Sequence, residues 1–189
     1  MNTPSHAIIN LTVLGKAKFP QFNLAIVFGG ILPDIPIFIF YFWAKFIARL
    51  PEAKIWGEAY YQPFVHNTVA LFHSIPLALI GWAIAYYFKS ELFQLIFLSM
   101  VLHSLLDLPV HHDDAHRHFL PFSNYKFISP ISYWDPRHYG NIVAFVEMMM
   151  VLFATFRVFS WVSSPVGKIL MVSVNVVYLV GYCLFYLRS

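Results

Sequence analysis

Charge is what this sequence has least of. Lys, Arg, Asp and Glu make up 11% of its 189 residues, against about 25% in a soluble domain. The deficit runs along the whole chain, which excludes an ordinary water-soluble globular protein. The formal net charge is only +3, and the basic residues stand singly near the ends of apolar runs. That spacing excludes the basic, aromatic-interleaved face of a nucleic-acid binder and suits positions beside anionic lipid headgroups. Cysteine is nearly absent. Cys183 stands alone, so no intramolecular disulfide forms and a thiolate-type structural zinc site is excluded. The opening Met1-Asn2-Thr3-Pro4-Ser5-His6 has neither the basic region nor the small-residue cleavage site of a signal peptide, so Met1 is expected to begin the mature chain. Internal repeats and low-complexity segments are also missing.

What is present is apolar: 59% of residues are hydrophobic and 19% aromatic. A short helix is expected from about residue 3 to Gly15, with Thr3 or Ser5 as its N-cap and Pro4 in its first turn. Five long apolar runs follow, over residues 24–48, 65–88, 92–110, 141–162 and 167–187. Each approaches the roughly 20 residues that cross a bilayer. The expected fold is therefore all-α: a polytopic integral membrane helical bundle of about five long helices plus the short N-terminal one. Residues 1–189 form a single domain, and a His/Asp-rich loop joins the third and fourth long helices. The last two runs read as plain lipid-facing helices apart from Glu147, Arg157 and Asn175.

The polar chemistry is concentrated in residues 103–122, which hold five of the nine histidines and three of the five aspartates. His103 and Asp107 are spaced i, i+4, which puts both side chains on one helical face. Pro109 ends that helix, and His111, His112, Asp113, Asp114, His116 and His118 follow, with the polar loop running to about Gly140. Imidazole and carboxylate are good ligands for zinc and similar ions, so residues 103–140 are expected to carry a metal-site loop. Asp34, between Pro33 and Pro36, falls at a helix break. It is expected either to act in function or to N-cap the helix that follows. Ser74 and Ser104 each follow a histidine without a nucleophile-elbow pattern, so each is expected to bond helix backbone or orient a neighbouring ligand.

The order His6, Gly-Gly-Ile-Leu-Pro-Asp ending at Asp34, His73-Ser74, His103-Ser-Leu-Leu-Asp107 and Leu120-Pro121-Phe122-Ser123 resembles the bacterial inner-membrane metal-dependent hydrolases over about the first two thirds of the chain. That family is in turn distantly similar to the all-helical superfamily of zinc-dependent phospholipase C and single-strand nucleases. The resemblance implies a multi-pass protein of the bacterial inner membrane. It implies His6, His73, His103 and Asp107 as metal ligands and Asp34 as a ligand or base. His112 and His118 are the nearest loop candidates for the next ligand. The superfamily's later His-x-x-x-Glu pair has no counterpart, because Val143 stands four residues before Glu147. One or two divalent ions are therefore expected, Zn2+ first, then Mn2+ or Fe2+.

The function expected is a membrane-embedded metal-dependent hydrolase acting on a phosphoester or lipid-linked substrate through a metal-activated water. Asp34 would accept a proton, and Arg117 or Arg137 would steady phosphate. The partners expected are the lipid bilayer and that substrate, with no nucleic acid. The alternative is a membrane metal transporter or metal-binding protein without catalysis. A di-iron oxygenase ranks lower, since the chain has one dense histidine box rather than three, and a purely structural scaffold ranks lowest. Positive-inside counting over Lys45, Arg49, Lys54, Arg117, Lys126, Arg137 and Arg188 leans toward a cytoplasmic loop. If every run crossed once, His6 would then lie on the opposite face. A break at Pro33-Asp34 into two short helices is the expected way out.

Overall fold

The computed structural model describes residues 1–187; Arg188, one of the cations counted for topology, lies outside them. Nine α-helices form, and no strand occurs among the described residues. They are α1 (Thr3–Leu14), α2 (Asn23–Ile31), α3 (Ile35–Phe42), α4 (Glu52–Gly57), α5 (Pro63–Phe72), α6 (Ile75–Tyr87), α7 (Glu91–Asp107), α8 (Gly140–Val158) and α9 (Pro165–Tyr186). The polar loop lies between α7 and α8. In the bundle, α7 lies between α2 and α6, α1 packs on α2 and α8, and α9 packs on α8.

Among the described residues, three helical stretches are long and apolar enough to cross a membrane: Pro20–Ile47 with 28 residues, Gly140–Val158 with 19 and Pro165–Tyr186 with 22. That is fewer than the five expected. The run over residues 65–88 is broken at His73-Ser74, and α5 and α6 meet there at 48°. The reason is local. Ser74 is extended and its hydroxyl caps the Leu77 N–H, while Pro76 belongs in a first helical turn and not in a helix interior. The run over residues 92–110 yields only the 17 residues of α7.

The stretch holding Asp34 differs from expectation in the other direction. Two short α-helices, α2 and α3, do flank a 3-10 turn at Leu32–Asp34, but helical backbone continues through that turn and Pro20–Ile47 counts as one candidate span. The topological conflict is resolved elsewhere. Helix α1 runs antiparallel to α7: Asn10 meets Ser99, and His6, one turn earlier, meets Asp107. His6 therefore starts on the side where α7 ends.

Large apolar side chains face outward, Leu24 and Phe156 both at 82% exposure, as on a lipid-facing surface. In lipid, apolar side chains gain little by leaving the solvent, so close packing of small residues has to hold helices together. The α2–α7 contact shows this. A Cβ on Gly29 would lie 2.3 Å from the Ile96 carbonyl oxygen. The close approach lets Ser99 donate to the Ile26 carbonyl at 2.6 Å, and lets the Gly30 carbonyl meet His103 at 2.8 Å. A larger core joins Ile8, Leu11, Ile26, Val151, Val158 and Met171 across α1, α2, α8 and α9.

Gly29→Ala is expected to destabilise the bundle by about 1–3 kcal/mol, the usual cost of overpacking. Gly57→Ala, which meets nothing within 4 Å, is expected to be neutral. Thermal unfolding of the two variants in detergent compares them directly.

Candidate metal centre

Three helices deliver polar groups to one interior point in steps of four residues. On α2 and the turn after it, Ile26, Gly30 and Asp34 lie one turn apart; on α7, so do Ser99, His103 and Asp107. The antiparallel α1 supplies Asn10 and His6 to the matching levels. Asn10 and Ser99 are bonded at the lowest level. The His6 and His103 rings stack at 3.7 Å one turn on, and both aspartates sit at the next. The break between α5 and α6 adds His73, whose ring lies edge-on to His103 at 5.2 Å.

Each imidazole is oriented from behind. The His103 Nδ1 faces the Gly30 carbonyl at 2.8 Å, and the His73 Nδ1 faces the Val69 carbonyl at 2.9 Å. A carbonyl only accepts, so Nδ1 carries the proton in both rings and a neutral ring presents its Nε2 lone pair. Those Nε2 atoms point at carboxylates. His103 Nε2 is 3.0 Å from Asp107 and 3.7 Å from Asp34, and His73 Nε2 is 3.4 Å from Asp34 and 3.8 Å from Asp107. His6 Nε2 is 3.0 Å from the other Asp107 oxygen. Both His73 Nε2 and His103 Nε2 are buried without a hydrogen-bond partner. Lone pairs facing carboxylate oxygens repel unless positive charge lies between them. A proton satisfies one such gap; a metal ion satisfies several at once.

Three overlapping sets have donor atoms within 4.8 Å of one another: His6, His103 and Asp107; Asp34, His73 and His103; and His73, Asp107 and His116. These buried groups could hold a metal ion. Asp34 does not cap α3 with its side chain. Its carboxylate accepts from the Thr3 hydroxyl at 2.5 Å and turns its other oxygen to His73 and His103. Thr3 and Ser5 do not cap α1 either; Asn2 is its N-cap residue, without a side-chain cap bond. Ser104 donates to the His73 carbonyl at 2.9 Å, so it braces the strand of backbone that carries a ligand.

The loop divides. His116 stacks on His73 at 4.1 Å and joins the cluster. Burial, with His73 and His111 beside it, pushes its pKa well below the ordinary imidazole value and keeps the ring neutral. His111 Nε2 lies 3.2 Å from Asp107, and its Nδ1 lies 3.1 Å from Asp114. His118 is buried beside the cluster but outside the three sets. Its Nδ1 faces the His73 carbonyl at 3.1 Å, and burial lowers its pKa to about 4. His112 lies outside them too, stacked on His138 at 3.7 Å with Nδ1 on the Ser129 carbonyl. Arg117 does not reach the cluster sets: its guanidinium ties the loop to the start of α5 through Asn67 and the His66 carbonyl. Arg137 instead pairs with Asp135, holding that carboxyl well below its usual range. Sequence reasoning did not single out His111 or His116 as ligands. For His111 the i, i+4 spacing from Asp107 was a usable signal, but it crosses the helix end; His116 had none. Comparison with protein-family models, curated proteins and solved structures finds no match to this chain.

Beside the cluster opens a cavity of about 640 Å3, walled by Asp34, Tyr60, Trp56, His111, His116 and Tyr133 among others. Asp34 and His116, two of the grouped donors, line it.

His116→Ala is expected to weaken metal binding by at least about 10-fold, and Ser104→Ala by about 10-fold, the usual scale for a residue that orients a ligand. His112→Ala is expected to bind like wild type. Metal content of the detergent-purified proteins, by elemental mass spectrometry after dialysis against a graded chelator, ranks them.

Proposed function

We propose that this chain is a metal-dependent phosphoester hydrolase of the bacterial inner membrane, holding one or two divalent ions, Zn2+ first among them. The observation that carries the reading is the buried convergence of His6, Asp34, His73, His103, Asp107 and His116 at the wall of a substrate-sized cavity. Imidazole and carboxylate donors without thiolate suit zinc and the harder divalent ions. When bound, such an ion supplies Lewis acidity and makes water more acidic.

The protein's own groups do the rest. Asp34 lines the cavity, and its carboxylate, steadied by Thr3, accepts the proton lost by the attacking water. Ser104, Gly30 and Val69 hold the imidazoles in place. Arg117 is left out of this mechanism because its guanidinium is committed to the loop. Tyr60, Trp56 and Tyr133 give the cavity an aromatic wall against which the non-reacting part of the substrate packs. A metal-binding protein without catalysis would use the same ligands but has no need of that cavity; a metal transporter would use it as an ion path, but α8 and α9 offer it little beyond Glu147 and Asn175 as polar groups.

The test is phosphoester turnover by protein in lipid nanodiscs, with and without added Zn2+, Mn2+ or Fe2+. Turnover that needs metal, and that falls by at least about 100-fold in Asp34→Asn even at metal concentrations that saturate the variant, is the expected result. Stoichiometric metal without turnover of any phosphomonoester, phosphodiester or lipid-linked phosphoester would leave a metal-binding protein.

A further inference from the structure

Helices α8 and α9 contain a single carboxylate between them, Glu147. It is 3% exposed and lies inside a helix apolar enough to span a membrane. An acid there is costly, and such groups are kept for specific partners. Among the described residues, every donor that reaches Glu147 comes from the N-cap and first turn of α1. The Asn2 backbone N–H donates to its Oε1 at 2.9 Å, the Asn2 side-chain amide at 3.1 Å and the Ser5 hydroxyl at 2.5 Å. Tyr178 of α9 lies 2.8 Å from the same Ser5 hydroxyl. The other Glu147 oxygen, Oε2, is buried without a partner.

That turn of α1 is the one that serves the metal centre. Thr3 holds Asp34, and His6, next to Ser5, reaches Asp107 and stacks on His103. The rest of α1 is held by apolar packing of Ile8, Ile9 and Leu11, by the Asn10 amide on Ser99 of α7 and by the Thr12 hydroxyl on the Ala154 carbonyl of α8 at 3.3 Å. None of these bonds reaches the first turn, which is fixed by its own. We infer that Glu147 is a positioning residue for the metal centre: it locks the first turn of α1 so that His6 and Thr3 meet Asp107 and Asp34. It touches neither substrate nor metal and acts through Asn2 and Ser5. The inference rests on the metal-centre reading.

The test is a Co2+ titration of the full detergent-purified chain, read by visible absorption, which reports ligand number and geometry around the ion. Wild type, Glu147→Ala, Glu147→Gln, His6→Ala and the Glu147→Ala/His6→Ala double variant are compared. Glu147→Ala is expected to weaken Co2+ binding about 10-fold or more and to shift the spectrum toward that of His6→Ala. In the double variant the two losses should be clearly less than multiplicative, because both act through one ligand. Glu147→Gln keeps an acceptor oxygen and is expected to restore binding to within about 3-fold, with the wild-type spectrum. Wild-type binding and spectrum in Glu147→Ala, or fully multiplicative losses, would overturn the inference. If Glu147→Ala does not fold, Ser5→Ala, which removes one of the three bonds, decides by the same criterion: a smaller loss that is non-multiplicative with His6→Ala supports it, and wild-type binding overturns it. Wild type that takes up no Co2+ would overturn the metal-centre reading itself, and this inference with it.

Discussion

Everything in the bundle depends on one unfavourable meeting: imidazole lone pairs and two carboxylates pointed at each other inside an apolar helix bundle. With the proton on Nδ1, His73 Nε2 and His103 Nε2 meet no donor and are buried without a hydrogen-bond partner, while the acceptor oxygens of Asp34 and Asp107 lie within 3.0–3.8 Å of them. Each buried polar group left unpaired costs about 1–3 kcal/mol. A cation in the centre would reverse the sign, and these buried groups could hold one.

The surrounding architecture makes that meeting unavoidable. The glycine contact between α2 and α7 brings the Gly30 carbonyl to His103. Helix α5 ends at Phe72 and Ser74 caps the start of α6, so His73 stands at the break, and its carbonyl is gripped by both Ser104 and His118. Backbone freed from helical bonding at a break would be costly in lipid. Here it is used: the Ile75 N–H bonds the His118 carbonyl at 2.9 Å, so the polar loop seals the break and carries His116 into the cluster. A single set of contacts thus satisfies the backbone and assembles the donors.

Several of these relations could be read from the chain and several could not. That His103 and Asp107 share a face follows from helical periodicity, and that Asp34 sits at an irregular turn follows from its flanking prolines. His6 and His73 entered only through a resemblance of motif order. Counting apolar runs overestimated the spans, because hydropathy does not register the Ser74–Pro76 start signal inside residues 65–88. Within the loop, composition pointed to the right stretch but could not rank its histidines. His112 and His116 are four residues apart and chemically identical; one stacks on His138 and the other on His73, and only the path of the chain separates them.

The sequence alone determined the class of molecule: an all-helical chain whose apolar surface suits lipid and whose histidines and aspartates are concentrated in one stretch after the third long run. Those properties are local, set by side-chain polarity, helical period and proline. The tertiary structure decided which of the polar groups meet. Residues 6, 34, 73, 103 and 116 are far apart along the chain, and their meeting depends on the antiparallel register of α1 on α7, on the close α2–α7 contact, and on the fold of the loop. It also decided that Glu147, on an otherwise lipid-like helix, faces α1 rather than the bilayer. A registry between helices is a sum of many small packing terms over distant segments, and no local pattern encodes it.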